Sequence, residues 1–344
     1  MKPLRISYSA ARDWQTCQEL YSKRHIEQLQ PKLRQAAPEL GTMIHEYFRL
    51  YYSRLDPGDD HTPREHHRYA LTVTMRKFKP EILSLASLAD GLGAEEEAKK
   101  LLSLPLTARR LLNAYFRVQG KADATQHEII AVEHRFELPV DGKHVVLPGV
   151  IDLVTRTQDG NVWLWEHKTT GSIPSQGRRF RDLQVLIYKV AVEEILGLEP
   201  TGVIWNYIRT KPPVPPKVLK NGLLSTAQHQ TTTLGLFKKA MRGAGADPHK
   251  YDSYLRQLER HEREVMFPRH TLALTQSEEV LLRDYVATVH EIEAARSKKD
   301  FIPIRNLGAQ CDWCPFVKLC QAAVAGGDID GLRQRHFKAD KKKR

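Results

Sequence analysis

Residues 149–171 read GVIDLVTRTQDGNVWLWEHKTTG, and the fold is decided there. Apolar residues recur on either side of Asp159-Gly160, a hairpin signal, so two strands are predicted, Lys143–Thr155 and Asn161–Lys168. Successive side chains of a strand face opposite ways. Glu166 and Lys168 therefore share a face with Val162 and Leu164, and two charged groups end an otherwise apolar row. Asp152, on the preceding strand, reaches the same point. Carboxylates buried together are unfavourable unless something cationic neutralises them. A hard divalent cation does so, and carboxylate oxygens are its preferred ligands. A lysine beside such a site can orient a nucleophile or stabilise charge growing on a phosphate oxygen. Aspartate followed by Glu-x-Lys on the next strand thus suits metal-assisted phosphodiester hydrolysis. The plain alternative is an ion pair at a strand end, because Glu-x-Lys alone is common by chance.

Working outward, His127–Val140 reads as a strand before this pair, joined through Asp141-Gly142. Arg179–Leu196 reads as a helix ending at Gly197, and Gly202–Arg209 as a fourth strand running into KPPVPP (211–216), which must leave regular structure. Strand-strand-strand-helix-strand is an α/β core. Upstream the pattern is helical, over 41–55 (with Met43, Ile44, Tyr47, Phe48, Leu50 and Tyr51 at helical spacing), 71–79, 81–89 and 95–116. Downstream, 231–242, 249–266 and 277–295 are helical again. The expected organisation is a helical region with Cys17 and His45 (1–125), the core (126–220), a helical region with clustered cysteines (221–325) and a basic tail (326–344).

The chain has 344 residues, and 53 Lys+Arg against 41 Asp+Glu leave a net charge of +12. That balance favours a polyanionic partner. Part of it sits in the tail, where Arg333, Arg335, Lys338, Lys341, Lys342, Lys343 and Arg344 meet only Asp340, the pattern of a solvated end. No stretch is apolar enough for a membrane span, and the first residues lack the apolar segment of a signal peptide. A cytoplasmic location with reduced thiols is expected. No G-x4-G-K-[ST] phosphate loop is present, which argues against a helicase.

Three weaker signals flank the acidic motif. His45 interrupts the apolar helix over 41–55, where a histidine is commonly just a satisfied core residue. Gln184 and Tyr188, four apart, share one helix face. Taken in order, His45 in GTMIHEYF, Asp152 in GVIDLV, Glu166-His167-Lys168 in WLWEHKTTG and Gln184-x-x-x-Tyr188 resemble the RecB-like branch of the PD-(D/E)XK nuclease superfamily. The resemblance implies a restriction-endonuclease-like core, a mixed sheet flanked by helices. It also implies Mg²⁺ or Mn²⁺ bound by His45, Asp152, Glu166 and the backbone carbonyl of His167. Lys168 would then be catalytic, with Gln184 and Tyr188 beside the site.

The four cysteines are Cys17, Cys311, Cys314 and Cys320, the last three spaced C-x2-C-x5-C. Zinc and a [4Fe–4S] cluster both accept four thiolates, and spacing hardly separates them. The context SYSAARDWQTCQELY around Cys17, with proline after Cys314, is similar to iron–sulfur nucleases of the AddB and CRISPR-adaptation types. That resemblance implies a [4Fe–4S] cluster tying the two ends of the chain together, with zinc as the alternative occupant. It implies single- or double-stranded DNA as the partner, and recombination or CRISPR-adaptation proteins as companions.

Arg178, Arg179 and Arg181 at the start of the Gln/Tyr helix, and Arg209 and Lys211 after the fourth strand, are candidate phosphate contacts. Trp205 and Tyr207 would stack on bases if exposed, although their apolar neighbours favour core packing. Glu133 in AVEHRF reads as a supporting carboxylate. The expected function is a metal-dependent DNA exonuclease in repair, recombination or phage DNA processing. The alternatives are a structure-specific endonuclease and a non-catalytic iron–sulfur DNA-binding subunit.

Overall fold

The computed structural model describes residues 3–55, 58–176, 183–227, 231–273 and 279–339. Its first half carries β1 (Leu4–Arg5), α1 (Tyr8–Thr16), α2 (Gln18–Tyr21), β2 (Leu29–Pro31), α3 (Ala36–Tyr52), α4 (Pro63–Gly91), α5 (Glu95–Tyr115) and α6 (Lys121–Gln126). The strand-rich middle is β3 (His127–Val140), β4 (Val145–Thr157), β5 (Val162–Thr170), α7 (Leu183–Leu196) and β6 (Gly202–Arg209). There follow α8 (Leu234–Gly243), α9 (Asp252–His261), β7 (Arg269–Ala273), α10 (Glu279–Arg296), α11 (Val317–Ala325), α12 (Ile329–His336) and β8 (Phe337–Ala339). Among the described residues no helix is long and apolar enough to cross a membrane.

The six-stranded sheet runs β1-β4-β5-β6-β7, with β3 on the other edge of β4. β3, β4 and β5 are successive antiparallel neighbours, whereas β5 and β6 are parallel, with Lys168 opposite Tyr207. Parallel neighbours need a crossover, and α7 lies within it. Helices cover both faces. On one, Tyr47, Phe48, Tyr52 and Leu112 of α3 and α5 pack on Leu153, Trp165 and Ile208. On the other, Trp14, Ile187, Val192 and Val289 pack on Val154, Leu164, Trp205 and Tyr207. This is a mixed α/β fold, in two helical layers about a mixed sheet.

The structure departs from the sequence reading in three places. The expected helices over 71–79 and 81–89 are one helix, α4, running through Pro80. Thr62 and Glu65 close a capping box at its start, and Ala70, Met75, Phe78, Ile82, Leu85 and Ala89 are buried along its length, so packing outweighs the local cost of proline. The sheet also extends beyond residues 126–220, because β1 and β7 join it from the flanks. Finally, β2 and β8 pair antiparallel and bury Leu29 against Phe316, Leu319 and Phe337, joining the chain's beginning to its end through backbone bonds.

Candidate active site

The site lies where β4 and β5 part. Their pairing stops at Leu153 opposite Trp165, and the next amide, that of His167, donates instead to the Asp152 carboxylate (2.8 Å). A side chain thus completes a ladder that the backbone has left. Strand β4 also turns over here, since Leu153 packs on the α3–α5 face and Ile151 on the α7 face. Opposite, Glu133 adopts a left-handed φ of 47° between the paired residues Val132 and His134. Such backbone is strained for a non-glycine residue and marks places where function overrides local preference.

The turn brings donors together. His45 of α3, Glu133 of β3 and Asp152 of β4 each offer a ligand atom, all within 4.8 Å of one another, a grouping found at no other place among the described residues. His45 Nε2 lies 3.1 Å from the His167 carbonyl oxygen, while Nδ1 faces Asp152 (3.7 Å) and Glu133 (3.8 Å). An Nε2–H donated to that carbonyl leaves the Nδ1 lone pair directed at the carboxylates. Burial, then the Glu166 charge, pushes the Asp152 carboxyl up to about 7, against the pull of His45 and the His167 amide. Burial works against the His45 cation, yet Glu133, Asp152 and Glu166 still raise its pKa. The pocket therefore holds more negative charge than its own groups balance. Imidazole and carboxylate together suit Mn²⁺ or Mg²⁺, and the donor set fits such an ion.

Glu166 is buried and ion-paired with Lys168, whose side chain is one-third exposed. It stands next to the three-residue group rather than inside it, and Glu133 completes that group. In the sequence, the signal for Glu133 was an acid in the middle of a long strand; the left-handed turn that aims it has no motif. Gln184 and Tyr188 stand on α7, and Gln184 hydrogen-bonds Tyr188. Tyr188 packs edge-on against Phe136 (5.0 Å). Gly149 lies beneath both rings, and a Cβ there would come within 2.3 Å of Phe136 and 3.0 Å of the Tyr188 hydroxyl. Tyr188 and Phe136 thus pack closely on β4 three residues before Asp152.

His167 contributes its backbone, and its ring explains how that backbone is held. The ring is buried against Phe48 (4.3 Å) and lies parallel to Tyr52 (5.8 Å). Burial, then the nearby His45, depresses its pKa well below the ordinary value, so it is neutral. Nδ1 accepts from Asn206 Nδ2 (3.0 Å), and Asn206 Oδ1 accepts from Arg269 (3.3 Å). Arg269 forks onto Asp123 (2.6 and 2.7 Å) and lies over Trp165 (4.6 Å).

Of the remaining candidates, Arg178, Arg179 and Arg181 lie outside the described residues. Arg209 donates to the Gly171 carbonyl (3.2 Å), and Lys211 is exposed. Trp205 and Tyr207 are core residues, 3% exposed each, so base stacking does not apply to them. Cys17, Cys311, Cys314 and Cys320 all line one cavity of about 840 Å³ between the chain's two ends. Cys17 accepts from the Asn306 amide (3.5 Å), and the Cys311 thiol lies 4.0 Å from the Asn306 carbonyl. No three of their sulfurs lie within 4.8 Å of one another, so they do not form a close donor group like that at His45. As they stand, β2–β8 pairing and side-chain packing join the ends.

The fold sets a cation-compatible group of donors beside a lysine at the point where two strands part. A sequence profile of the PD-(D/E)XK nuclease superfamily matches residues 5–321, nearly the whole chain, and the protein belongs to that superfamily. A comparison with curated proteins gives no match.

Proposed function

We propose that this nuclease is a DNA exonuclease using Mg²⁺ or Mn²⁺ held by His45, Glu133, Asp152 and Glu166, together with the His167 carbonyl. The observation that carries the reading is the largely enclosed Asp152 side chain, whose charge is opposed by Glu166 and Glu133 and only partly balanced by His45. A bound dication would supply Lewis-acid polarisation of the scissile phosphate and a water acidified towards neutral pH. The protein's own groups do the rest. The His167 amide fixes the Asp152 carboxylate, and Glu166 holds Lys168 at the open side of the site. From there the ammonium can orient an attacking water in line with the phosphate and meet charge developing on its oxygens. Arg209, Lys211 and the arginines at 178, 179 and 181 are proposed to hold flanking phosphates.

Preference for chain ends over internal bonds rests on likeness to RecB-type nucleases, which is analogy. A [4Fe–4S] cluster on Cys17, Cys311, Cys314 and Cys320 belongs to the same proposal, supported by the shared cavity and by C-x2-C-x5-C spacing. Recombination, CRISPR adaptation or phage DNA processing, in the cytoplasm, are the proposed settings. End-labelled linear DNA and circular single-stranded DNA, each with EDTA, Mg²⁺ or Mn²⁺, test the main claim. Metal-dependent loss of the linear substrate alone is expected; cleavage of the circle would show an endonuclease.

A further inference from the structure

Away from the metal site, three arginines share a cavity that no acid lines. Arg109 and Arg110 near the end of α5, and Arg117 just after it, border a space of about 340 Å³ with Asn113, Pro213, Pro215 and Leu236. All three arginines are exposed. Several surface arginines lie instead on carboxylates, as Arg5 on Glu137, Arg34 on Glu81 and Arg49 on Glu46. Glu262 feels the Arg117 charge, but it is buried and accepts from the Leu234 amide, so it is not offered to the cavity. Asn113 is likewise used, donating to the Arg109 carbonyl (2.7 Å) and facing His67 (3.1 Å). Two prolines, with fixed φ and no N–H, form the opposite wall, and the Val214 amide between them is tied to the Thr231 carbonyl (2.9 Å). Like charges held beside a stiff wall repel one another, and an anion relieves that repulsion. Guanidinium matches phosphate through paired N–H donors.

The wall's position gives the cavity its meaning. β6 passes Lys168 at Tyr207 and leaves the sheet after Arg209, and the same segment reaches Pro213 and Pro215. At about 3.3–3.6 Å per residue when fully extended, the cavity stands within roughly 30 Å of the catalytic strand. One turn of duplex is about 34–36 Å. A DNA held at the metal site is therefore long enough, within one turn, to lay its backbone over the arginines.

We propose that Arg109, Arg110 and Arg117 form a binding site for backbone phosphates of the DNA, remote from the scissile bond, which holds the substrate without reading its sequence. This rests on the nuclease reading, and adds a second point of attachment on the helical region. The test uses the full chain and a fluorescent DNA oligonucleotide in EDTA, with affinity followed across a salt series. Each phosphate neutralised contributes about 0.9 to the slope of log affinity against log salt on duplex, and about 0.7 on single strands. Replacing all three (Arg109→Ala, Arg110→Ala, Arg117→Ala) is expected to lower the slope by about 2–3. KM for cleavage should rise by more than kcat falls. Changing all three to lysine restores the slope, because the charge is kept. Where the triple alanine variant melts early, Arg109→Gln with Arg110→Gln gives the same reading at about two-thirds the size. A variant that melts like wild type and keeps the wild-type slope and KM, beside a wild type that cuts DNA, overturns this site alone. A wild type that neither binds nor cuts DNA overturns the nuclease reading and the site with it.

Discussion

Asp123 on α6 and Asp152 on β4 are both withdrawn from solvent, the first wholly and the second largely, and they live in opposite circumstances. Asp123 is fully buried and fully answered: Arg269 forks onto it and the Tyr52 hydroxyl donates to it (2.7 Å). Burial works against the Arg269 charge, but Asp123 and Tyr115 hold its pKa well above the ordinary value. Asp152 has the reverse surroundings, with Glu166 and Glu133 at hand and the half-buried His45 as its nearest cationic candidate. The molecule thus shows how it settles a buried acid for the sake of folding, and then declines to do so at Asp152. A balanced pair is what folding needs; an unbalanced cluster is what a dication from solution needs.

Breaking the unbalanced side should have the largest effect. Asp152→Ala or Lys168→Ala is expected to lower the rate of metal-dependent cleavage by about 10²–10³-fold or more, while circular dichroism stays that of the wild type. Breaking the balanced side should instead strike stability. Arg269→Met leaves Asp123 buried without its cation and is expected to cost about 3–5 kcal/mol in urea unfolding. Adding Asp123→Leu to it should recover most of that loss, because the uncompensated charge is then gone as well.

A subtler variant sharpens the contrast. Asp152→Asn removes a charge that burial and Glu166 disfavour, so the metal-free protein should gain about 1–3 kcal/mol at pH 8. The same change should abolish the rise in melting temperature that Mn²⁺ gives the wild type. A loss of stability in the metal-free variant would show that Asp152 is balanced after all. The smallest effect is expected at Arg5→Ala, whose pair with Glu137 is more than half exposed on both sides. Its melting temperature should match wild type within error, as solvent screens such a pair.

Much of this was legible in the sequence because it is local. Alternation on either side of Asp159-Gly160, and the reach from Glu166 to Lys168, follow from the period of a strand, and β3 to β6 appear where that period places them. What escaped depends on distant partners. β1 is two residues long and exists only because Val145 and Val146 stand beside it. β7 is held by β6, and Pro80 is tolerated because its helix is buried over its length. At the site, Asp152, Lys168 and His45 came from motif and order, whereas the place of Glu133 came from one backbone torsion. Asn206 and Arg269 gave no signal at all, since their partners, the His167 ring for one and Asp123 for the other, lie far away in sequence.

The residue that carries that ring has two backbone duties. Its N–H, in the peptide unit shared with Glu166, grips Asp152, and its carbonyl, in the unit shared with Lys168, faces His45, so two planes hinged at one α-carbon stand between donors from different elements. The ring on that α-carbon is wedged between Phe48 and Tyr52, on the same helix that carries His45. Loosening the wedge would shift both donors' partners together, so the centre's tolerance for misalignment is set by how firmly one aromatic slot grips one neutral imidazole.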